Sequence, residues 1–277
     1  MEKLERFQFT IEAGKTERRY WADLWHYREL FYILAWRDIA VRYKQTIIGV
    51  LWAVIRPLLT MIIFVVVFDK IAKLPSEGVP YSIFVFAAML PWTFFATAFA
   101  DASNSLIGNV NLISKVYFPR LIIPAASVIV AAVDFMISFV ILIALMAWYS
   151  YWPDWHIFAL PLFLLLGFFA ALGGGLFVAS LNVKYRDFRF VIPFIVQLGL
   201  YISPVGFSST IVPEQYRILY YLNPMVAVVD GFRWAISGGK TAFNTTELSI
   251  SVSIVVILCI VGVVHFRKTE KTFADVI

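Results

Sequence analysis

Long apolar runs separated by short polar segments recur along the chain, and they predict an all-α polytopic membrane protein. A helix that crosses a bilayer needs about 20 apolar residues. Six runs approach or exceed this length, and we interpret them as spans at 47–68, 80–100, within 121–149, 157–181, 190–211 and 248–266, a transmembrane domain of residues 47–266. Inside these runs only Arg56 and Asp134 are charged. We expect Asp134 to face protein through a structural hydrogen bond, whereas Arg56 either faces a polar pathway or extends to the inner headgroups.

The segment 101–120, between the second and third spans, has the pattern of an amphipathic helix at the membrane surface. Its apolar positions share one face: Leu106, Val110, Ile113 and Tyr117. Polar or small positions repeat the spacing on the opposite face: Asn104, Gly108, Asn111 and Lys115. Pro119 ends the helix because it cannot donate a backbone hydrogen bond. Lys115 is the one charge on the polar face, which favours contact with a protein over contact with anionic lipid. A passive connector between spans is the alternative.

Residues 1–46 are predicted to form a cytoplasmic segment that ends in a helix lying in the membrane interface. The longest uncharged run there, 30–36, is far too short to cross a bilayer. Aromatic residues of the kind that settle at headgroup level recur through it: Trp21, Trp25, Tyr27, Tyr32 and Trp36. A helix that packs only on protein is the alternative.

Residues 214–236 differ from the spans because they divide into two short apolar helices, 214–222 and 224–236. Asn223 has the character of an N-cap, and Pro224 suits the first position of the second helix. Neither half is long enough to cross a membrane. We interpret the pair as a re-entrant hairpin, which is allowed where protein or a water-filled cavity satisfies its ends.

Composition strengthens the membrane assignment. Hydrophobic residues make up 61% of the 277 and charged residues 15%, against roughly 45–50% and 25% in soluble domains. Lys and Arg number 17 on one side of the predicted spans and 5 on the other, with Arg56 inside a span. Because cytoplasmic loops carry the basic excess, both termini, including the tail 267–277, are predicted to be cytoplasmic. The basic residues lie at span ends rather than in one patch, which argues against nucleic-acid binding.

The sequence contains no constellation typical of an enzyme or a metal site. The three histidines are isolated from one another at the ends of predicted elements. Gly239-Lys240-Thr241 is similar to the end of a phosphate-binding loop, but Trp234 stands where that motif needs glycine. We therefore expect no catalytic residue, no bound metal and no nucleotide bound by this chain through that motif.

A series of short motifs covers nearly the whole chain from about Trp21. In order they are Arg42-Tyr43-Lys44-Gln45, Gly49-Val50-Leu51-Trp52, Arg56-Pro57-Leu58, Ser114-Lys115-Val116-Tyr117-Phe118-Pro119-Arg120, Asn182-Val183-Lys184-Tyr185-Arg186-Asp187, Ser203-Pro204-Val205 and Leu222-Asn223-Pro224-Met225. The series resembles the type-2 ATP-binding-cassette permeases that export cell-surface polysaccharides, including the O-antigen, capsule and teichoic-acid exporters.

The resemblance implies a homodimer of six-span subunits with two copies of a separate ATPase, which binds the ATP and Mg²⁺. It also implies a channel at the dimer interface, lined largely by the first and fifth spans. The 101–120 helix would couple to the ATPase through Asn104, Gly108, Asn111 and Lys115, and the 214–236 hairpin would gate the outer mouth. The candidate channel and gate residues are Trp52, Arg56, Tyr201, Tyr220, Tyr221 and Phe232.

The substrate implied by the resemblance is a lipid-linked polysaccharide that crosses the bacterial cytoplasmic membrane. A type-2 exporter of a lipid or drug is the alternative, since it shares every topological feature. A membrane-embedded enzyme acting on lipid-linked sugars is a more distant possibility, and it would need acidic groups or a metal site that Asp134 alone does not supply.

Overall fold

Helices form all the regular structure in the computed structural model, which describes residues 20–43, 47–185, 187–241 and 243–273 and contains no strand in those ranges. The described ranges leave out parts of the predicted cytoplasmic segments, namely residues 1–19, 44–46 and 274–277. They also leave out Arg186 of the motif series. The α-helices are α1 (Tyr20–His26), α2 (Arg28–Tyr43), α3 (Ile47–Phe64), α4 (Tyr81–Gly108), α5 (Val110–Lys115), α6 (Ile122–Trp148), α7 (Leu160–Lys184), α8 (Phe188–Ile202), α9 (Glu214–Tyr220), α10 (Pro224–Ser237) and α11 (Thr245–Thr269). A π-helical segment, Val65–Ile71, extends α3, and 3₁₀ turns occur at Trp155–Ala159, Ser209–Ile211 and Glu270–Thr272.

Five helical stretches in the described residues are long and apolar enough to cross a bilayer. They are Leu51–Ile71, Tyr81–Gly108, Ile122–Trp148, Trp155–Lys184 and Thr245–Thr272. We call the end of these helices near residues 101–121 the inner end and the end near residues 203–211 the outer end, after the predicted orientation.

The predicted span 190–211 is helical only as far as Ile202, where its helix, α8, ends. α8 has 15 residues and is therefore about 22 Å long, short of the roughly 30 Å thickness of the hydrocarbon core. Ser203 adopts an extended conformation, as expected before Pro204, which disfavours helix at the preceding residue. By length and composition, five helical stretches in the described residues could cross a bilayer, and the predicted sixth crossing is not confirmed.

Helix α4 lies at the centre of the core and packs along both α6 and α7. Most of its residues are buried, including a run of aromatic and small side chains from Phe84 to Trp92. Helix α7 also packs closely against α11. A Cβ added to Gly262 of α11 would lie 2.2 Å from the carbonyl oxygen of Gly173 of α7. Small residues permit this close approach of helix backbones in a membrane protein.

Large apolar side chains remain exposed on several helices, among them α3, α8 and α11. On α3 these include Leu51, Trp52, Leu59, Ile62 and Ile63. On α8 they include Phe190, Phe194, Leu198 and Tyr201. Apolar area of this extent in a membrane protein contacts lipid or another protein.

The predicted single helix over the 101–120 segment is corrected by the structure. α4 continues without a break from the second span to Gly108, and α5 then forms a separate helix of six residues. The break lies at Asn109, whose backbone leaves the helical region and whose side-chain amide donates to the Ser105 carbonyl oxygen at 2.9 Å. An asparagine side chain that satisfies a terminal helix carbonyl favours a helix end over its continuation.

Two short helices occupy the predicted hairpin region, and they differ strongly in burial. α10 begins as predicted, since the Asn223 Oδ1 accepts a hydrogen bond from the Met225 backbone N–H at 3.1 Å. Twelve of its fourteen residues are buried. By contrast, every residue of α9 is exposed or half-buried. The two halves of the hairpin are therefore not equivalent, since one belongs to the core and the other lies on its surface.

Candidate functional site

The inner end of the protomer presents the polar face predicted from helical spacing. All four of its positions are exposed: Asn104, Gly108, Asn111 and Lys115. A Cβ added to Gly108 would meet nothing within 4 Å, so the surface is open there. On the opposite face Leu106 and Ile113 are buried, as predicted. Tyr117 is exposed instead, because α5 ends at Lys115 and the chain leaves the helical spacing before reaching it.

A cleft of about 380 Å³ adjoins this polar face, between α2, α4 and α6. Its lining includes Asp38 and Arg42 of α2 and Asp101, Asn104 and Gly108 of α4. The cleft therefore connects the surface helix α2 with the end of the central span, next to two of the predicted coupling positions.

Arg42 joins three helices at the inner end. Its guanidinium donates to an Asp101 carboxylate oxygen on α4 at 2.8 Å and to an Asp134 carboxylate oxygen on α6 at 2.5 Å. The Tyr43 hydroxyl also donates to Asp134. The three charged side chains of this network are each about one-third exposed. The expectation that Asp134 faces a protein partner is therefore confirmed, and the partner includes a charge.

The electrostatic surroundings of the Arg42 guanidinium favour its charged form. Burial disfavours the charge on Arg42, but the carboxylates of Asp101 and Asp134 outweigh it, so the pKa of Arg42 is raised. Burial, together with the hydrogen bond to Asp134, raises the pKa of the Tyr43 hydroxyl. Arg42 therefore stays charged and Tyr43 stays a neutral donor at any physiological pH.

Polar contacts also hold the chain on either side of α5. Before α5, an Arg37 guanidinium nitrogen on α2 donates to the Asn109 Oδ1 at 2.9 Å. After it, the Arg120 backbone N–H donates to a Glu270 carboxylate oxygen at 2.8 Å, and the Arg120 guanidinium donates to the Glu270 carbonyl oxygen. A displacement of α5 would therefore act on α2 at one end and on the end of α11 at the other.

The six predicted channel and gate residues fall into two groups. Trp52 and Arg56 on α3 and Tyr201 on α8 are exposed, on two helices with uncovered apolar faces. Tyr220 is half-buried, and Tyr221 is buried with its hydroxyl donating to an Asp230 carboxylate oxygen at 2.7 Å. Phe232 is fully buried and packs edge-on against the Phe135 ring. The last two therefore line no open surface of the protomer.

Sequence reasoning missed Arg233, a buried residue of α10 that contacts α4 and the segment before α9. A signal was present: Asp230 and Arg233 stand one helical turn apart in an otherwise apolar helix. Charged residues in such a helix are costly unless they have partners, and they therefore mark a structural or functional role.

The segment Gly239-Lys240-Thr241 directly follows helix α10 rather than directly preceding a helix. Gly238 and Gly239 have positive φ and end α10, and Lys240 lies over the Tyr151 ring. A phosphate loop precedes a helix and directs its N–H groups at the ligand, whereas this segment follows one. No group of three or more His, Cys, Asp and Glu side chains suited to a metal occurs in the described ranges.

Comparison with known proteins places these features in a family context. Residues 29–237 match the model of the ABC-2 type transporter family. The O-antigen export system permease protein RfbA of Myxococcus xanthus is 28% identical over 213 residues, which are 76% of this chain and 81% of that protein. RfbA of Klebsiella pneumoniae is 26% identical over 251 residues, 90% and 95% of the two chains. The polysialic acid transport protein KpsM of Escherichia coli is 22% identical over 240 residues, 85% and 91% of the two chains.

Proposed function

Because the chain belongs to the ABC-2 type transporter family, we propose that it is the membrane-spanning permease subunit of an ATP-driven exporter of cell-surface polysaccharide. The observation that carries the proposal is that O-antigen export permeases and a polysialic acid transport protein each align over most of their length with this chain. The substrate is a lipid-linked polymer, and the membrane is the bacterial cytoplasmic membrane, with both termini on the cytoplasmic side.

The transport unit in this proposal is a homodimer whose channel lies between the protomers. The exposed apolar faces of α3 and α8 support this arrangement, because they also carry Arg56 and Gln197. A cation and an amide among apolar residues are costly on a surface that faces only lipid. Trp52, Arg56 and Tyr201 then line the channel. α8 and the segment 203–211 together complete the sixth crossing, which α8 alone is too short to make.

A separate ATPase docks at the inner end and supplies the ATP, the Mg²⁺ and the hydrolysis. The exposed face formed by Asn104, Gly108, Asn111 and Lys115 supports this docking site. The contacts of Arg37 and Arg120 on either side of α5 give its movement a route to α2 and α11.

The outer mouth is closed in this proposal by the hairpin of α9 and α10, which lies in the membrane as a re-entrant pair. Of the two helices, α9 carries the exposed surface that a moving gate needs, with Tyr220 half-buried at its C-terminal end. Tyr221 and Phe232 support the hairpin from within the protomer rather than contacting the polymer.

Deletion of this gene in its source bacterium tests the proposal. We expect the surface polysaccharide to disappear and the lipid-linked polymer to accumulate inside the cell, with both restored by the wild-type gene. The chain purified with its ATPase should hydrolyse ATP, and the chain alone should not. Unchanged surface polysaccharide together with loss of an exported lipid or drug would support the alternative exporter and overturn the proposed substrate.

A further inference from the structure

The segment Ser203–Thr210, which we call the 203–210 loop, is irregular backbone that lies largely inside the protein. It connects α8 to the turn before α9, and Ser203, Val205, Ser208 and Ser209 within it are buried. Buried backbone N–H and C=O groups outside helices need partners from elsewhere, above all where a membrane excludes water. The loop can therefore hold its shape only if other elements satisfy its carbonyl groups.

Three successive carbonyl oxygens of the loop are satisfied by two side chains. The Arg233 guanidinium donates to the Val205 carbonyl oxygen at 2.8 Å and to that of Phe207 at 2.7 Å. Between them, the Tyr81 hydroxyl donates to the Gly206 carbonyl oxygen at 2.7 Å. The loop is thereby attached to α10 by Arg233 and to the start of α4 by Tyr81.

Arg233 also attaches α10 directly to α4. Its Nε donates to the Phe84 carbonyl oxygen at 3.2 Å, and its guanidinium carbon lies 3.6 Å from the centre of the Phe84 ring. The side chain is only 3% exposed, and Asp230, one turn earlier on α10 and also buried, supplies an opposite charge. A planar guanidinium with a fork of donors can bond two separate elements and stack on a ring at once, which the single ammonium of lysine cannot do.

The ends of the loop are held as well. The Asn223 side-chain amide donates to the Ser203 hydroxyl oxygen at 3.0 Å, and the Ser208 hydroxyl donates to the Glu77 carboxylate. A Cβ added to Gly206 would lie 2.5 Å from the Phe68 ring, so the loop also packs tightly against the extension of α3. α9 differs, since Glu214, Gln215 and most of its other side chains are exposed.

We propose that Arg233 is a positioning residue that holds the 203–210 loop and α10 to the outer end of α4 as one static frame, against which α9 alone moves when the exporter opens. This inference rests on the proposed function, because it assigns the moving and the fixed parts of the proposed gate. Movement of the loop out of the frame would leave its three carbonyl groups without partners and would leave the buried Arg233 cation with only its contacts to Phe84, which opposes the movement strongly.

Thiol labelling in the assembled complex of this chain with its ATPase tests the inference. Cys259→Ser provides a cysteine-free background. Val205→Cys reports on the frame and Gln215→Cys on α9, with a membrane-impermeant maleimide applied from outside. We expect the labelling rate at position 215 to change with ATP turnover, and position 205 to stay protected at rest and during turnover. Labelling of position 205 during turnover as fast as that of position 215 would overturn the inference.

A second arm removes the positioning residue and needs no ATP. In the Val205→Cys background, Arg233→Lys and Arg233→Met should each raise the labelling rate at rest by roughly tenfold or more, because a buried thiol reacts in proportion to local opening. Arg217→Lys and Arg217→Met on α9 are the matched controls and should leave this rate unchanged. Folded Arg233 variants whose position 205 stays protected would overturn the inference.

The outcomes separate the inference from the proposed function. If the chain binds no ATPase and labelling at position 215 does not depend on ATP, the exporter proposal is contradicted. The labelling of the Arg233 variants at rest then decides whether the frame exists. If the Arg233 variants fail to fold, the labelling of position 205 in the chain with intact Arg233 decides instead, since protection during turnover supports the frame and exposure overturns it.

Discussion

Two arginines hold the inner and outer ends of the protomer together in different ways. Arg42 is about one-third exposed and bonds two carboxylates, Asp101 and Asp134, on two helices. Arg233 is buried and bonds backbone carbonyl oxygens of α4 and the 203–210 loop. Carboxylates lie at the ends of rotatable side chains that water can reach, whereas the carbonyl groups are fixed in the backbone.

The difference indicates which end of the protomer can rearrange at low cost. When a partly exposed ion pair opens, water solvates both charges, and such pairs contribute about 0–1 kcal/mol to stability. When a buried charge loses its partners, the uncompensated group costs about 3–5 kcal/mol. The inner end, where we propose that the ATPase docks, is therefore adjustable, and the outer frame is rigid.

The largest expected effect comes from removing each arginine in turn. Arg233→Met should lower the free energy of unfolding by about 3–5 kcal/mol, because it leaves carbonyl groups unpaired inside the protein and removes the positive charge next to buried Asp230. Arg42→Met should lower it by only about 1 kcal/mol, because water replaces the lost contacts. Thermal unfolding of the two variants in the same detergent measures the difference. Equal losses would contradict the contrast between the two ends.

The next largest effect separates folding from coupling at the inner end. Leu106→Ala or Ile113→Ala should cost about 2–4 kcal/mol, because each side chain is fully buried, and should reduce the yield of folded protein. Asn111→Arg and Lys115→Glu change exposed side chains, so yield and membrane insertion should stay normal while co-purification of the ATPase and polymer export fall.

If Asn111→Arg and Lys115→Glu bound the ATPase normally and exported polymer at the wild-type rate, the proposed docking site would be wrong. The segment from α4 to α6 would then be only a connector. Gln215→Arg, an exposed change on α9 at the outer end, is the matched control for charge and should leave co-purification of the ATPase unchanged.

Removing one tyrosine hydroxyl group at each end also compares the buried outer end with the partly exposed inner end. Tyr221→Phe removes the donor to buried Asp230 and should cost about 1.5–3 kcal/mol, the range for hydrogen bonds to charged groups. Tyr43→Phe removes the donor to Asp134, where water can replace it, and should cost about 0.5–1 kcal/mol. Unfolding of the two variants, measured side by side, checks the ranking, and a larger loss for Tyr43→Phe would reverse it.

The smallest expected effect is the response to salt. A double-mutant cycle between Arg42→Met and Asp134→Asn should give a coupling energy of about 1 kcal/mol at low salt. That coupling should shrink at 1 M salt, where the Debye length falls to about 3 Å. The cost of Arg233→Met should not change with salt, because its contacts lie away from the solvent. A salt-independent Arg42–Asp134 coupling would show that this ion pair is as shielded from solvent as the contacts of Arg233.

Features that depend on neighbouring residues were predictable from the sequence. The N-cap at Asn223 is one such feature, and the exposure of Asn104 and Lys115 on a polar helix face is another. The end of a helix was harder to predict. The break at Asn109 depends on the competition between continued helix and a side-chain cap, and α8 stops at Ile202 because Ser203 precedes a proline, although the apolar run continues.

The partners of the charged residues could not be predicted. Arg42 and Asp134 are 92 positions apart in the chain, and Arg233 and Phe84 are 149 apart. The spacing of charges along a helix gives no information about contacts at such separations. Asp134 was expected to have a partner because a lone charge in a span is costly, but the identity of that partner depends on how α2 packs on α6.

The sequence by itself determined that this protein is helical, that it belongs in a membrane and which segments have polar surfaces. These properties follow from local composition and helical periodicity. Only the tertiary structure decided that α4 and α10 form the core while α3 and α8 keep apolar faces exposed. Hydropathy cannot make that distinction, because lipid chains are as apolar as a protein interior, and a helix that faces either has the same composition.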